Sequence, residues 1–335
     1  MKLGTLKDAN NYDGQLIVVS QDNTKYALAT DIVPSLREAV EKWAHYKPSL
    51  EARYNDLNDG KVEGKEIVNE NLHSPLPRTF QWADGSAFIQ HVKLVRKARG
   101  AEVPQSLYEI PLMYQGGSDN FLGPYDNIPQ VSFEHGTDFE GEVGVITDYV
   151  PMGTSPEKAL EKILLIVIIN DVSLRGLIPQ ELAQGFGFLV SKPSSAFAPF
   201  AVTPEELGSA WKEGRVHLPL NVEYNGEFFG KANGSEMYFH FGQLIAHAAQ
   251  TRNLMPGTII GSGTVSNEDA SVGSSCLAEK RMLEKINEGE IKTPFMKSGD
   301  TIKMEMLNEQ GQNIFGTIEQ KVVKAENSTT VFAYS

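Results

Sequence analysis

The chain has 335 residues, which suggests two domains or one large domain with an appendage, and its 41% hydrophobic content is ordinary for a globular protein. The net charge of −13 and the lack of a basic stripe argue against nucleic-acid binding. The sequence also has no polybasic membrane anchor. The single cysteine, Cys276, excludes an internal disulfide and indicates a reducing compartment. The N-terminus does not resemble a signal peptide, and the longest apolar run, residues 163–169, is too short to span a bilayer. We therefore expect a cytoplasmic protein.

The N-terminal part of the chain predicts a small β module. Short apolar runs separated by turn residues predict strands within the first thirty residues. Residues 35–47 carry apolar side chains at helical spacing and predict a helix that ends before Pro48. The polar stretch 55–71 is typical of a linker, so we place this module at residues 1–74.

The remainder, residues 75–324, predicts a strand-rich domain with few long helices. Ser155 followed by Pro156 is typical of a helix start, and the buried strand at 163–169 follows. A second helix is predicted over 241–254.

Two alternating segments near the C-terminus, 297–306 and 316–323, predict a strand pair. The last residues, 325–335, predict a loosely ordered tail.

Four acidic residues lie in or beside predicted apolar strands: Asp84, Glu140, Glu142 and Asp171. Each has an ordinary alternative, because the two glutamates suit a solvated strand edge, Asp171 suits a cap or an ion pair, and Asp84 suits an Asp-Gly turn. Together, four carboxylates suit a hard divalent cation such as Mg²⁺, Mn²⁺ or Ca²⁺. Zinc is less suited, since no His/Cys cluster with ligand spacing occurs.

Other catalytic patterns are weak or missing. His91 follows Asp84 by seven residues, and taken alone it can be an ordinary partly buried histidine. The sequence has neither the Gly-x-Ser-x-Gly pattern of serine hydrolases nor a glycine-rich nucleotide-binding motif after a strand, so no nucleotide cofactor is expected. Cys276 can be a nucleophile, but a lone cysteine is more often a small buried apolar residue.

Four motifs occurring in one order resemble the fumarylacetoacetate hydrolase family, most closely its bacterial-type fumarylacetoacetases. They are DFEGE (138–142), NDVSLR (170–175), GFGFLVSKP (185–193) and PGTIIGSGTVS (256–266). The resemblance covers residues 75–324. It implies a β-rich α+β fold, in which a mixed β-sandwich roll forms the C-terminal domain beside the small N-terminal β module, and it implies a homodimer.

The resemblance also implies roles for individual residues. The metal ligands would be Asp84, Glu140, Glu142 and Asp171. The catalytic groups would be His91 as base, Glu279 as the acid that holds it, and Lys192 and Arg175 as cations for an oxyanion. The substrate would contact Tyr114, Thr264 and Ser86. Two pocket positions depart from the animal enzymes, because a tyrosine is replaced around Ser86 and a glutamine is replaced by the stretch GLIP (176–179).

The implied reaction is hydrolysis of a carbon–carbon bond in a small 1,3-diketo acid. The expected substrate is 4-fumarylacetoacetate, cleaved to fumarate and acetoacetate in tyrosine and homogentisate breakdown, with one divalent cation as cofactor and no nucleic-acid or membrane partner. Three enzymatic alternatives on the same fold stay open: an acylpyruvate hydrolase, an oxo-acid decarboxylase and an isomerase or hydratase of aromatic catabolism. A non-catalytic metal-binding protein is the remaining alternative.

Overall fold

The computed structural model describes residues 1–98, 102 and 104–325, and the side chains of 95–98 are outside this description. The predicted loose tail therefore lies outside the described residues, apart from Ala325. Within the described part the α-helices are α1 (Leu36–Glu41), α2 (Trp43–Asn58), α3 (Ile89–Ala98), α4 (Pro156–Leu160), α5 (Ile178–Gln184), α6 (Phe241–Ala248) and α7 (Leu277–Glu288). None of these helices combines the length and the apolar character that a membrane-spanning helix needs.

Strands dominate the described chain. They are β1 (Lys2–Leu6), β2 (Gln15–Val19), β3 (Lys25–Leu28), β4 (Lys65–Glu66), β5 (Leu72–His73), β6 (Trp82–Gly85), β7 (Met113–Gly116), β8 (Ile128–Gln130), β9 (Thr137–Asp138), β10 (Gly141–Thr147), β11 (Ile163–Asn170), β12 (Ser173–Leu174), β13 (Ala196–Phe197), β14 (Phe200–Val202), β15 (Trp211–Lys212), β16 (Arg215–Val216), β17 (Pro219–Tyr224), β18 (Glu227–Asn233), β19 (Ile259–Gly261), β20 (Thr301–Met306) and β21 (Ile318–Lys324).

The largest sheet runs in the order β4-β3-β2-β1-β14-β11-β10-β19-β6-β7, with β13 beside β11 and β5 beside β1. At its centre, β10 and β11 pair in antiparallel fashion, and every residue of both strands is buried. The apolar run of β11 is continuous rather than alternating because both of its faces are covered.

A second sheet, in the order β18-β17-β20-β21-β8, packs on the centre of the first. The approach is close at Gly141, where a Cβ would lie 2.8 Å from Leu220 Cδ2 and 3.5 Å from Met304 Sδ. The predicted strand pair near the C-terminus is confirmed as β20 and β21. The β-rich α+β class is likewise confirmed, and the sheets of the described residues do not close into a barrel.

Of the secondary-structure predictions near the N-terminus, those for the strands are confirmed and that for the helix end is wrong. The three short strands are confirmed as β1, β2 and β3. The helix end before Pro48 is wrong, since α2 runs from Trp43 to Asn58 with that proline inside. Trp43, Leu50 and Leu57 are buried along one side of α2, and this packing outweighs the cost of the proline ring.

The predicted linker at 55–71 is also wrong as a structural description. The end of α2 occupies its first residues, and β4 adds to β3 within it. The domain boundary at residue 74 stays a prediction, and β1 pairs across it with β14. Elsewhere the helix start is confirmed, because the Ser155 side chain accepts a hydrogen bond from the backbone N–H of Lys158.

Candidate metal and catalytic site

Three of the four predicted metal ligands meet beside the large sheet. Asp84 lies on β6 and Glu142 on β10, with β19 between the two strands, and Asp171 directly follows β11. One carboxylate oxygen from each of these residues lies within 4.8 Å of the others, and all three residues are buried. We call Asp84, Glu142 and Asp171 the acidic triad.

Glu142 is the least compensated member of the acidic triad. Both carboxylate oxygens of Glu142 are buried and have no hydrogen-bond partner among the described residues. Burial, together with the negative charges of Asp84 and Asp171, raises the pKa of Glu142 well above its usual value. Burial and the charge of Asp171 raise the pKa of Asp84 to about 8. A buried donor set made only of oxygens fits Mg²⁺, Mn²⁺ or Ca²⁺.

The fourth predicted ligand, Glu140, lies beside the triad and is neutralised by two cations. Lys192 Nζ lies 2.6 Å from Glu140 Oε2, and Arg175 Nη2 lies 2.5 Å from Glu140 Oε1. Burial alone would raise the pKa of Glu140, but Arg175 and Lys192 outweigh it and hold that pKa well below its usual value. Its role as a metal ligand stays a prediction.

Asp171 links the triad to three further groups. Its Oδ2 atom lies 2.6 Å from Lys192 Nζ and accepts a hydrogen bond of 2.6 Å from the Tyr114 hydroxyl. Its Oδ1 atom accepts one of 2.7 Å from Ser195 Oγ. The sequence analysis missed Ser195, which carries no signal beyond its position three residues after Lys192.

The sequence analysis also assigned no role to Asp138, although this residue opens the DFEGE motif. Asp138 is fully buried and accepts hydrogen bonds from Arg175 Nε at 2.9 Å and from the backbone N–H groups of Leu277 and Ala278. It therefore joins the arginine to the first turn of α7. Cys276 caps that turn through its Sγ atom, and burial raises the pKa of its thiol, so the structural interpretation of Cys276 is favoured.

The predicted base and its partner are in contact. His91 on α3 and Glu279 in the first turn of α7 are joined by an Nδ1–Oε2 distance of 3.0 Å. Glu279 is buried, whereas the His91 side chain keeps 17% of its exposure. A carboxylate at Nδ1 favours the tautomer in which Nε2 accepts a proton.

A cavity of about 500 Å³ brings these groups together. Nine predicted site residues line it, namely Asp84, Ser86, His91, Tyr114, Glu140, Glu142, Arg175, Lys192 and Thr264. Asp171 and Glu279 do not line the cavity. Asp171 contacts Lys192 and Glu279 contacts His91, and these two partners do line it. The sequence analysis missed the apolar lining, which consists of Phe88, Val92, Leu112, Ile178, Leu182 and Phe188. Ile178 belongs to the stretch GLIP, where a departure in the pocket was predicted.

Comparison with protein-family models identifies two matching regions in the chain. The model described as "Fumarylacetoacetate (FAA) hydrolase C-terminal" matches residues 81–323, and that described as "Fumarylacetoacetase N-terminal domain 2" matches residues 1–78. The chain belongs to the fumarylacetoacetate hydrolase family.

Relatives and solved structures that resemble this chain are named for different substrates. A 2,4-didehydro-3-deoxy-L-rhamnonate hydrolase from Sphingomonas sp. (strain SKA58) is 30% identical over 208 residues, which is 61% of this chain and 70% of the relative. The solved maleylpyruvate hydrolase of Sphingobium sp. SYK-6, in complex with manganese(II) and pyruvate, has a TM-score of 0.64 at 16% identity.

A fumarylacetoacetate hydrolase from Exiguobacterium antarcticum has a TM-score of 0.63, also at 16% identity. Both alignments cover 97% of this chain and 100% of the other. At this identity the two structures support the fold.

Proposed function

We propose that this protein hydrolyses a carbon–carbon bond in a 1,3-diketo acid, with 4-fumarylacetoacetate as substrate and fumarate and acetoacetate as products. The observation that carries the proposal is one cavity lined by Asp84 and Glu142 of the acidic triad, by His91 and by the buried Lys192, with Asp171 and Glu279 paired to that lysine and that histidine. Tyrosine and homogentisate breakdown would supply this substrate. We further propose a homodimer, from the family resemblance, and a cytoplasmic location.

The acidic triad would hold one divalent cation, and Glu140 is the proposed fourth ligand. When bound, such an ion would polarise the two oxygens of a β-diketone and delocalise the charge of the enolate that leaves. Mg²⁺, Ca²⁺ and Mn²⁺ all suit this donor set.

His91 would act as the general base. Because Glu279 accepts from Nδ1, the Nε2 atom is left to take a proton from water, which then attacks the carbonyl carbon. The carbon–carbon bond of the adduct then breaks, and the proton held on Nε2 would pass to the carbon of the enolate that leaves. The buried Glu279 carboxylate would orient the ring and stabilise the imidazolium that forms. Positioned proton transfer of this kind contributes about 10²–10⁴-fold to rates.

Lys192 would stabilise the oxyanion that the attack creates. Burial alone would lower the pKa of Lys192, but Asp171 and Glu140 raise it above its usual value, so the ammonium stays charged at neutral pH. A preorganised donor at an oxyanion is worth roughly 3–4 kcal/mol. Arg175 would contribute by holding Glu140, since its guanidinium already pairs with Asp138 and Glu140.

The proposal is tested by following the absorbance of fumarylacetoacetate and of simple acylpyruvates, with and without a chelator. We expect turnover of fumarylacetoacetate to fumarate and acetoacetate, loss of turnover on chelation and recovery with added Mg²⁺ or Mn²⁺. Release of CO₂ in place of two carboxylic acids would overturn the hydrolase assignment.

His91→Ala is expected to keep cation binding and to lose turnover by about 10²–10⁴-fold, because the variant removes the base and leaves the triad intact. Isothermal titration with Mn²⁺ and the absorbance assay measure the two properties. His45→Ala is the matched control, since His45 is exposed on α2. A His91→Ala variant with full activity would contradict the assignment of the base.

An acylpyruvate hydrolase is the second candidate, and the apolar part of the cavity favours it. Phe88, Ile178 and Phe188 would accommodate an uncharged acyl chain. Efficient turnover of acylpyruvates together with failure on fumarylacetoacetate would select this candidate over the first.

A further inference from the structure

The segment between α5 and Lys192 forms an exposed turn beside the cavity. Helix α5 ends at Gln184 and is capped by Gly185, and the chain continues through Gly187; these two glycines have φ values of +78° and +96°. Such values favour glycine, because a side chain there meets its own backbone. The turn then leads through residues 188–191 directly to Lys192.

Apolar packing does little to hold this segment in place. Phe186 is wholly exposed, and Leu189 and Val190 keep 80% and 60% of their exposure. Among the apolar side chains of this segment, Phe188 alone is partly buried, and its ring contacts Tyr114 edge to face with centroids 5.3 Å apart. Another interaction must therefore fix the backbone ahead of the lysine.

That interaction is the carboxylate of Glu181 on α5. Its Oε1 atom accepts hydrogen bonds from the backbone N–H groups of Leu189 at 3.0 Å and Val190 at 2.8 Å. Its Oε2 atom accepts from the N–H of Ser191 at 3.1 Å and from the Ser191 hydroxyl. Four donors from three consecutive residues use the acceptor capacity of the carboxylate fully.

Ser191 is also held from the opposite side. Its carbonyl oxygen accepts a hydrogen bond of 2.8 Å from the N–H of Leu174 on β12. The residue before Lys192 is thus fixed between a strand and a carboxylate. This arrangement leaves the lysine side chain to reach Glu140 and Asp171.

We propose that Glu181 is a positioning residue that sets the ammonium group of Lys192 by holding the backbone of residues 189–191. It touches neither the cavity nor the triad and acts through the lysine alone. The kinetic part of this inference rests on the proposed hydrolase function, whereas the structural part does not.

The structural part is tested by chemical labelling of the lysines in the whole protein. Acetic anhydride is added to the wild type, Glu181→Ala and Gln180→Ala, and the acetylation of each lysine is followed by mass spectrometry. Gln180 is the exposed neighbour of Glu181 on α5 and serves as the matched control. We expect slow labelling of Lys192 in the wild type and the control, and labelling at least severalfold faster in Glu181→Ala. Equal rates in all three proteins would overturn the proposal.

The kinetic part is tested by a double-mutant cycle with Lys192→Met. Glu181→Ala is expected to lower kcat roughly 10- to 100-fold through misplacement of the ammonium group, with a smaller change in KM. In the Lys192→Met background it should lower kcat no further, because its effect passes through the lysine. Equal losses in both backgrounds would overturn the proposal.

Glu181→Gln separates positioning from a folding defect. Its amide oxygen can still accept from Leu189 and Val190, while its NH₂ group cannot accept from Ser191, so an intermediate kcat and intermediate labelling are expected. A thermal midpoint unchanged from wild type, combined with these intermediate values, supports positioning. If the wild type turns over no 1,3-diketo acid, the proposed function fails, and the labelling experiment still decides the role of Glu181.

Discussion

Two glutamates separated by a single glycine have opposite electrostatic environments. Glu140 lies between two cations, and its pKa falls; Glu142 faces two other acids, and its pKa rises. The same residue type two positions apart is therefore an ion-pair partner in one case and, in the other, a buried acid with no hydrogen-bond partner among the described residues. This difference can be measured by substituting each glutamate separately.

Glu142→Gln is expected to leave the metal-free protein at least as stable as the wild type, because burial and the charges of Asp84 and Asp171 already disfavour the ionised form of Glu142 and raise its pKa. It should abolish the stabilisation that Mn²⁺ gives. Glu140→Gln is its matched partner and should destabilise the metal-free protein by about 3–5 kcal/mol, since it leaves Arg175 and Lys192 short of a counter-charge. Urea unfolding with and without Mn²⁺ measures both, and equal effects of the two variants would contradict this division.

The raised pKa of Asp84 predicts how stability depends on pH. In the chelated protein, this group keeps a proton between pH about 4 and about 8 that the unfolded chain has lost. The contribution of protonated Asp84 to folding stability is therefore complete at the acidic end of this window and is lost as the pH rises through about 8.

We expect the thermal midpoint of the chelated protein to fall across the same window more steeply than that of Asp84→Asn. The shift produced by Mn²⁺ should grow with pH, because the cation competes with the proton. Scanning calorimetry at several pH values measures both, and parallel pH profiles of the two proteins would contradict the prediction.

At the level of secondary structure, the pairing of strands brings the acidic side chains close together. β19 lies between β10 and β6, and Gly261 on β19 is in register with Asp84 on β6. A Cβ at Gly261 would lie 2.3 Å from Asp84 Oδ1 and 2.4 Å from the Trp82 ring. Position 261 therefore requires glycine, because a side chain there would overlap the Asp84 carboxylate.

Gly261→Ala is expected to weaken Mn²⁺ affinity at least tenfold and to destabilise the fold by about 1–3 kcal/mol through overpacking. Gly117→Ala is a suitable control just after β7, since the nearest atom to its added Cβ is 3.8 Å away. Titration with Mn²⁺ and urea unfolding give the two quantities. Wild-type affinity in Gly261→Ala would show that Asp84 can move without loss.

Over the whole molecule, the N-terminal strands are part of the large sheet. β1 pairs with β14, and Leu3, Leu16 and Val18 belong to the same apolar core as β10 and β11. A family model for an N-terminal domain matches residues 1–78, yet the hydrogen bonds of the sheet cross that boundary. Removing the N-terminal part would uncover the edge of β14 and the core behind it.

We therefore expect the full chain to unfold in one cooperative transition, with fluorescence and circular dichroism giving coincident midpoints. A chain that begins at residue 79 should be insoluble or lack a cooperative transition, because it would expose core residues of β11 and β14. Two separate transitions in the full chain would contradict this expectation and would favour independently folding domains.

The residues of the site were predicted partly from local patterns and partly from the resemblance of four ordered motifs to a family. The pair of glutamates in DFEGE and the acid after a buried strand are local features, because strand periodicity puts Glu140 and Glu142 on one face. Their roles, and that of His91 seven residues after Asp84, were implied by the family resemblance. Asp138 and Glu181 were not predicted, since their partners are mostly backbone N–H groups, which carry no side-chain signature. The helix through Pro48 was missed because its stability comes from packing rather than propensity.

The sequence by itself determined the β-rich class, the strand at 163–169, the helix start at Ser155 and the set of acids beside the strands. These depend on periodicity and on residue chemistry. Only the tertiary structure decided which three acids share one point, that Glu140 faces Arg175 and Lys192, and that Glu181 holds the segment before the lysine. The physical reason is that Coulomb and hydrogen-bond energies depend on distances between residues far apart in the chain, and chain folding alone sets those distances.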